Sequence, residues 1–117
     1  MPTIRDLVRT IAQRNGVEAV VVLGRDGLLI EGESAERLDS EQLAALTPSI
    51  VSAAESVGSA ASHGGLITAV LEFDRGVALI SSVTSEAILL VVVHPTADIG
   101  SLLFDLRRHR ANIASIV

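Results

Sequence analysis

Residues 16–32 read GVEAVVVLGRDGLLIEG, and this stretch decides the architecture. Two apolar runs, Ala19 to Leu23 and Leu28 to Ile30, flank Gly24-Arg25-Asp26-Gly27. Valine is β-branched and suits a pleated surface better than a helix, so the first run is predicted to be a strand. Asp-Gly between apolar runs is a strong hairpin signal, because glycine accepts the positive φ of a tight turn. Gly24, Asp26 and Gly27 are therefore read as structural turn residues. The first run does not alternate: Ala19, Val20, Val21, Val22 and Leu23 are all apolar. A strand of that kind is covered on both faces, which demands a layer above the sheet and another below it.

Upstream, Ile4, Leu7, Val8 and Ile11 have the spacing of one helical stripe, with Arg5, Asp6, Arg9 and Gln13 outside it. Thr3 followed by Asp6 resembles a capping box, and Asn15-Gly16 is a stop. Beyond the hairpin and a polar connection over 32–39, Asp39 is placed to cap a second helix. Ser62 to Gly65 ends that helix, and Leu66 to Phe73 reads as a strand. Asp74-Arg75-Gly76 turns it into Val77 to Val83, and Thr84-Ser85 leads on to Glu86 to His94. Three strands joined by such short links form an antiparallel meander. Pro95 ends it. Thr96 or Asp98 caps a last helix that buries Ile99, Leu102, Leu103, Leu106, Ile113 and Ile116. Five strands with apolar residues on both faces need helices on both faces, so the fold class expected is α/β (α+β). The order is α-β-β-α-β-β-β-α, in a single domain over residues 1–117.

The second helix carries the most information about function. Leu43, Leu46, Ile50, Ala54, Val57 and Ala61 fall within a narrow arc and are expected to face the core. The opposite arc is Ala45, Ser49, Ser52, Ser56 and Ser59. Soluble domains are about a quarter charged, yet Glu55 is the only formal charge between Gln42 and Ser62. Small uncharged side chains allow another backbone to approach closely, so this arc is read as an interface. Pro48 inside the helix removes an N–H bond to Ala44 and crowds that carbonyl, a cost of roughly 3 kcal/mol in an ideal helix. A kink there, or a helix beginning in earnest near Pro48, is expected.

Composition excludes several chemistries. The chain has no Cys, Lys, Tyr or Trp, so it offers no thiolate, no disulfide, no Schiff base and no P-loop lysine. A net charge of −5, with only Phe73 and Phe104 aromatic, speaks against a nucleic-acid binder. The longest apolar run, Ala87 to Val93, is far short of a membrane span, and residues 1–15 lack the pattern of a secretory leader, so a secretory precursor is not expected. A cytoplasmic location is expected. His63, His94 and His109 lack partners at metal-ligand spacing, and the serines of SVGSAASHGG fall on a helix rather than a nucleophile elbow. Gly24-Arg25-Asp26-Gly27 joins strand to strand, so no helix N-terminus follows to receive a phosphate. Asp26 and Glu31 lack the enclosed cleft that paired acid–base carboxylates need. Arg25 and Arg75 occupy hairpin turns, where a guanidinium reaching a partner's phosphate is one reading and an exposed turn residue the other. Arg107-Arg108-His109-Arg110 is a basic knot that complements the negative end of its helix, with a binding patch as the alternative. No catalytic, cofactor-binding or metal-binding residue is assigned, and no enzyme activity is expected.

The residues GVEAVVVLGRDGLLI at 16–30, LAAL at 43–46, ILLVVV at 88–93 and DIGSLLFDLR at 98–107, in this element order, resemble the Roadblock (dynein light chain) family. The likeness is strongest to its short bacterial and archaeal members of the MglB type, and it covers nearly the whole chain. The resemblance implies a five-stranded antiparallel sheet with the middle helix on one face and the terminal helices on the other. It also implies a homodimer, or a heterodimer with a paralogue, formed through the middle helix and the third strand. Carried onto this chain, the shared surface would comprise Ala45, Ser49, Ser52, Ala53, Ser56 and Ser59 with Leu66, Thr68, Val70 and Glu72. Many such members regulate a small Ras-like GTPase, some as its activating partner, so a dimeric regulator of a GTPase is the implied function. Two alternatives stay open: a scaffold or adaptor without effect on hydrolysis, and a small-molecule sensory domain. The strands supply few convergent polar groups, chiefly Thr68 and Ser81, so no small-molecule ligand is expected.

Overall fold

The computed structural model describes residues 2–117. Its elements are α1 (Ile4–Ala12), β1 (Val17–Gly24), β2 (Leu29–Ser34), α2 (Ser40–Ala60), β3 (Thr68–Phe73), β4 (Gly76–Ser82), β5 (Ala87–Val93), α3 (Ile99–Arg108) and α4 (Arg110–Ile116). The five strands form one sheet in the order β2-β1-β5-β4-β3, antiparallel at every step. The expected order of elements therefore holds, with the terminal helix broken at His109 into α3 and α4.

The sheet is sandwiched for the reason the valine run implies. In β1, β4 and β5 both sets of alternate side chains are buried, so each face carries its own core. Val20, Val22, Leu79, Leu89, Val91 and Val93 face α1, α3 and α4, meeting Val8, Ile11, Leu102, Leu106 and Ile113. Val21, Leu23, Ile80, Ile88 and Leu90 face the other way, toward Ala44 and Val51 of α2. At roughly 1.5–3 kcal/mol for each fully buried aliphatic side chain, these two layers are the main favourable term in folding. The outer strands β2 and β3 are only partly covered, as sheet edges are.

Local signals act where the sequence places them. Thr3 and Asp6 form the capping box of α1. Hydrogen bonds from the Thr3 backbone and side chain hold the Asp6 carboxyl below its ordinary pKa. Asp39 caps α2 by accepting from the N–H groups of Glu41 and Gln42, and Asp98 caps α3 through Ser101. Gly27 takes φ +87 in the β1–β2 turn, and the Asp26 carboxylate accepts from the Leu28 N–H at 3.0 Å. α2 is continuous from Ser40 to Ala60 with Pro48 inside it, so the helix does not begin near the proline. The β1–β2 turn packs on α2 beside that proline: a Cβ on Gly27 would lie 3.6 Å from both Ala45 and the Pro48 ring.

Arg25 differs from the exposed turn residue, or free guanidinium, that the sequence suggests. Its Nη1 donates to Glu55 at 3.0 Å and its Nη2 to the Ser82 hydroxyl at 2.7 Å. Its backbone N–H bonds the Glu86 carbonyl. One side chain thus ties the first hairpin to α2 and to the end of β4. Its Nε is buried and lacks a hydrogen-bond partner among the described residues. The single charge of mid-α2 serves this internal clamp rather than solvation. A second clamp joins the terminal helices, where Arg14 reaches Asp105 at 2.6 Å and Ser101 at 3.2 Å.

Two outcomes follow for stability. The Arg25–Glu55 pair is about one-third exposed on both sides, so a double-mutant cycle of Arg25→Ala and Glu55→Ala should give a coupling of only about 1 kcal/mol. A coupling indistinguishable from zero in urea titrations would mean that the clamp does not hold in solution. At Gly27 the space is adequate but the φ is not, so Gly27→Val should lose about 1–3 kcal/mol. Gly27→Asn, which tolerates the left-handed region, should lose less. Equal losses would place the cost in packing rather than in the backbone.

Candidate interaction face

α2 is rotated from its expected setting. Its buried positions are Ala44, Thr47 and Val51. Leu46 and Val57, expected to face the core, are 59% and 69% exposed, and Ile50 and Ala61 are also exposed. At 100° per residue the true inward face lies about a quarter turn from the arc of large aliphatics. The reason is steric. The helix lies close over β1 and β2, so Ala44 and Thr47 fit beneath it, and the Thr47 hydroxyl is satisfied by the Leu43 carbonyl at 2.7 Å. The larger side chains are left outside.

What they form there is ordered. Leu46, Ile50, Ala53, Val57 and Ala60 follow one another at alternating spacings of four and three, the seam of a helix that packs on another helix. Ala45, Ser49, Ser52, Ser56 and Ser59 flank this seam and are exposed, as is Ala53 within it. Sequence reasoning named the serine arc and missed the seam beside it. The signal was present in the four-three spacing, but two apolar arcs competed for the core and the larger side chains were chosen.

β3 continues the surface. It is an edge strand, so one row of its backbone groups is unpaired within the sheet. Val70 is 50% exposed and Glu72 is exposed, while Thr68 is half-buried. Leu66 differs from the other expected contact residues: it precedes the strand and packs against the α2-side core. Phe73 at 60% exposure and Ile67 at 57% add apolar area that the sequence did not assign. On the α2 side, Ala69 and Leu71 pack at the margin of the core and are only partly buried, because α2 approaches β1 and β2 most closely. Bare sheet and bare seam adjoin where the C-terminal half of α2 meets the start of β3. There a groove of about 590 Å³ is lined by Val57, Ile67 and Thr68, with Arg107 and Arg110 from the far side.

Residues weighed for chemistry are dispersed or engaged. The His94 ring bonds the Thr96 hydroxyl at 2.7 Å, His63 lies in the loop after α2, and His109 is the α3–α4 junction. Asp26 caps its own turn, whereas Glu31 pairs with Arg5 of α1 at 3.8 Å. Among the described residues, no three His, Asp or Glu side chains are grouped to hold a metal ion, and no helix is long and apolar enough to cross a membrane. This face has the means to bind protein: apolar area, small side chains and an open strand edge.

Comparisons with known proteins agree with this geometry. An uncharacterized protein of Methanocaldococcus jannaschii is 28% identical over 94 residues, covering 80% of this chain and 79% of its own. A Roadblock/LC7 domain from Streptomyces avermitilis superposes with a TM-score of 0.84 at 22% identity, over 96% of this chain and 95% of that one. MglB of Myxococcus xanthus superposes with a TM-score of 0.87 at 17% identity, over 97% and 86% of the two chains. The sequence model of the Roadblock/LC7 domain family matches residues 3–93, and the chain belongs to that family.

Proposed function

We propose that this chain is a non-catalytic regulatory module, a homodimer or a heterodimer with a paralogue, that binds and regulates a small Ras-like GTPase. The observation that carries the reading is the outward seam of α2, Leu46, Ile50, Ala53 and Val57, flanked by serines and devoid of formal charge. A face of this kind is costly to leave in water and too regular to be incidental. Antiparallel packing of two such helices, with edge-to-edge pairing of β3, would bury the seam and bring the bare part of each sheet under its partner. Specific interfaces bury roughly 1,200–2,000 Å² in total, which one helix and one strand from each copy can supply.

Toward the GTPase, the module would act by binding one arrangement of its switch segments better than another and so shifting their population. Arg25 is engaged by Glu55 and Ser82, so stimulation of hydrolysis would come from repositioning the GTPase's own groups rather than from that guanidinium. Membership of the family supports the GTPase part of the proposal, and the α2 face supports the dimer.

Light scattering tests the assembly. Ser52→Arg and Ala53→Arg alter exposed positions and should leave the fold intact by circular dichroism. Each should raise the dimer dissociation constant at least about 30-fold, the equivalent of roughly 2 kcal/mol at the centre of an interface. A wild-type chain that is monomeric at high concentration would overturn the dimer. A hydrolysis assay with a small Ras-like GTPase of the same organism tests the rest: altered turnover supports regulation, and binding without altered turnover selects the scaffold.

A further inference from the structure

We infer that two copies of this chain are locked in register by charge: the acidic end of one copy's β3 hairpin seats in the cationic groove at the other end of its partner's β3. This rests on the dimer proposed above and goes beyond it by fixing which residues meet. The backbone sets the register. The Ser82 N–H donates to the Ile67 carbonyl at 3.1 Å, and these residues lie on the β3–β4 ladder that pairs Thr68 with Ser81. In an antiparallel ladder the bonded pairs recur every second residue. Ala69, Leu71 and Phe73 therefore direct their N–H and C=O groups toward β4, and Thr68, Val70 and Glu72 direct theirs outward. A second β3 can use only the same outward set. Across a two-fold axis, the register with the fullest overlap places Val70 on the partner's Val70 and Thr68 opposite the partner's Glu72. The same register sets Leu66 opposite the partner's Asp74.

Charge agrees with this register. Thr68 lines the groove that Arg107 and Arg110 bound. Neither arginine makes an ion pair among the described residues, and neither do Glu72 and Asp74; the four ion pairs present use Arg5, Arg14, Arg25 and Arg37. Glu55 comes near the groove wall at Gly65, but it is held by Arg25. Arg75 follows Asp74 in the turn and is likewise outside these ion pairs, so two acids and one arginine leave the tip with a net charge of −1. The edge strand thus has unpaired acids at one end and unpaired cations at the other, and a two-fold axis brings each against its opposite, twice per dimer. Val70, Glu72 and Asp74 also share the exposure that such contacts require.

The test is a charge swap measured by sedimentation. One variant carries Arg107→Glu and Arg110→Glu, the other Glu72→Arg and Asp74→Arg. Alone, each opposes like charges across the axis and should dimerise at least about tenfold more weakly than wild type at low salt. Mixed in equal amounts they should form a heterodimer close to wild-type affinity, because each groove then meets a tip of opposite sign. Raising the salt should weaken the wild-type dimer and strengthen each variant alone. If both variants dimerise like wild type, or the mixture is no tighter than its components, the inference is overturned. In that case, monomerisation by Ser52→Arg would leave the dimer itself standing. A monomeric wild type would instead remove both.

Discussion

β1, β5 and β4 lie side by side and are apolar on both faces, and the rest of the molecule is arranged to keep those two faces dry. The helices available do not divide evenly between them. α1, α3 and α4 share one face, and α2 has the other to itself. A single helix spans only part of a five-stranded sheet: α2 approaches β1 and β2 most closely and shares its core with side chains of β5 and β4. The incomplete cover over β3 is therefore a geometric consequence of the fold, and the proposed interface lies where cover runs out.

The two-sided character of α2 follows from the same constraint. Close approach to the sheet admits Ala44, Thr47 and Val51 beneath the helix, while Leu46, Ile50 and Val57 stand outside. A helix serving only its own chain would be expected to place its larger aliphatics inward. Here the outward seam has the larger residues, so the association proposed above and folding would draw on different faces of one element. Arg25 and Glu55 fit this division. Their pairing brings the mid-helix charge inward toward the hairpin and leaves the outer seam neutral.

A carboxylate and a guanidinium that lack partners inside one chain carry a different kind of information from those that have them. Arg14, Arg25 and Arg37 are spent on holding α1, the first hairpin and the connection before α2 in place. Glu72 and Arg107 make no ion pair among the described residues, and they lie toward opposite ends of the β3 edge. In the proposed dimer, the outward direction of alternate backbone groups on β3 would turn that separation into a specific register, which charge alone would not provide.

The sequence by itself determined the sheet and its sandwiching, because a strand such as Ala19 to Leu23 has no polar residue to give to water. It also determined the turns and caps, at Asp26-Gly27, Thr3, Asp39 and Asp98, since these depend on contacts within a few residues. It marked α2 as a helix with an uncharged flank. The rotation of α2 was decided only by tertiary structure: two apolar arcs a quarter turn apart are equally periodic, and the distance to the sheet chose the smaller side chains. The partners of Arg25 were decided there as well, across separations that no local pattern encodes. So was the meeting of Arg107 and Arg110 with the start of β3, because a groove between distant segments exists only once the layers have packed.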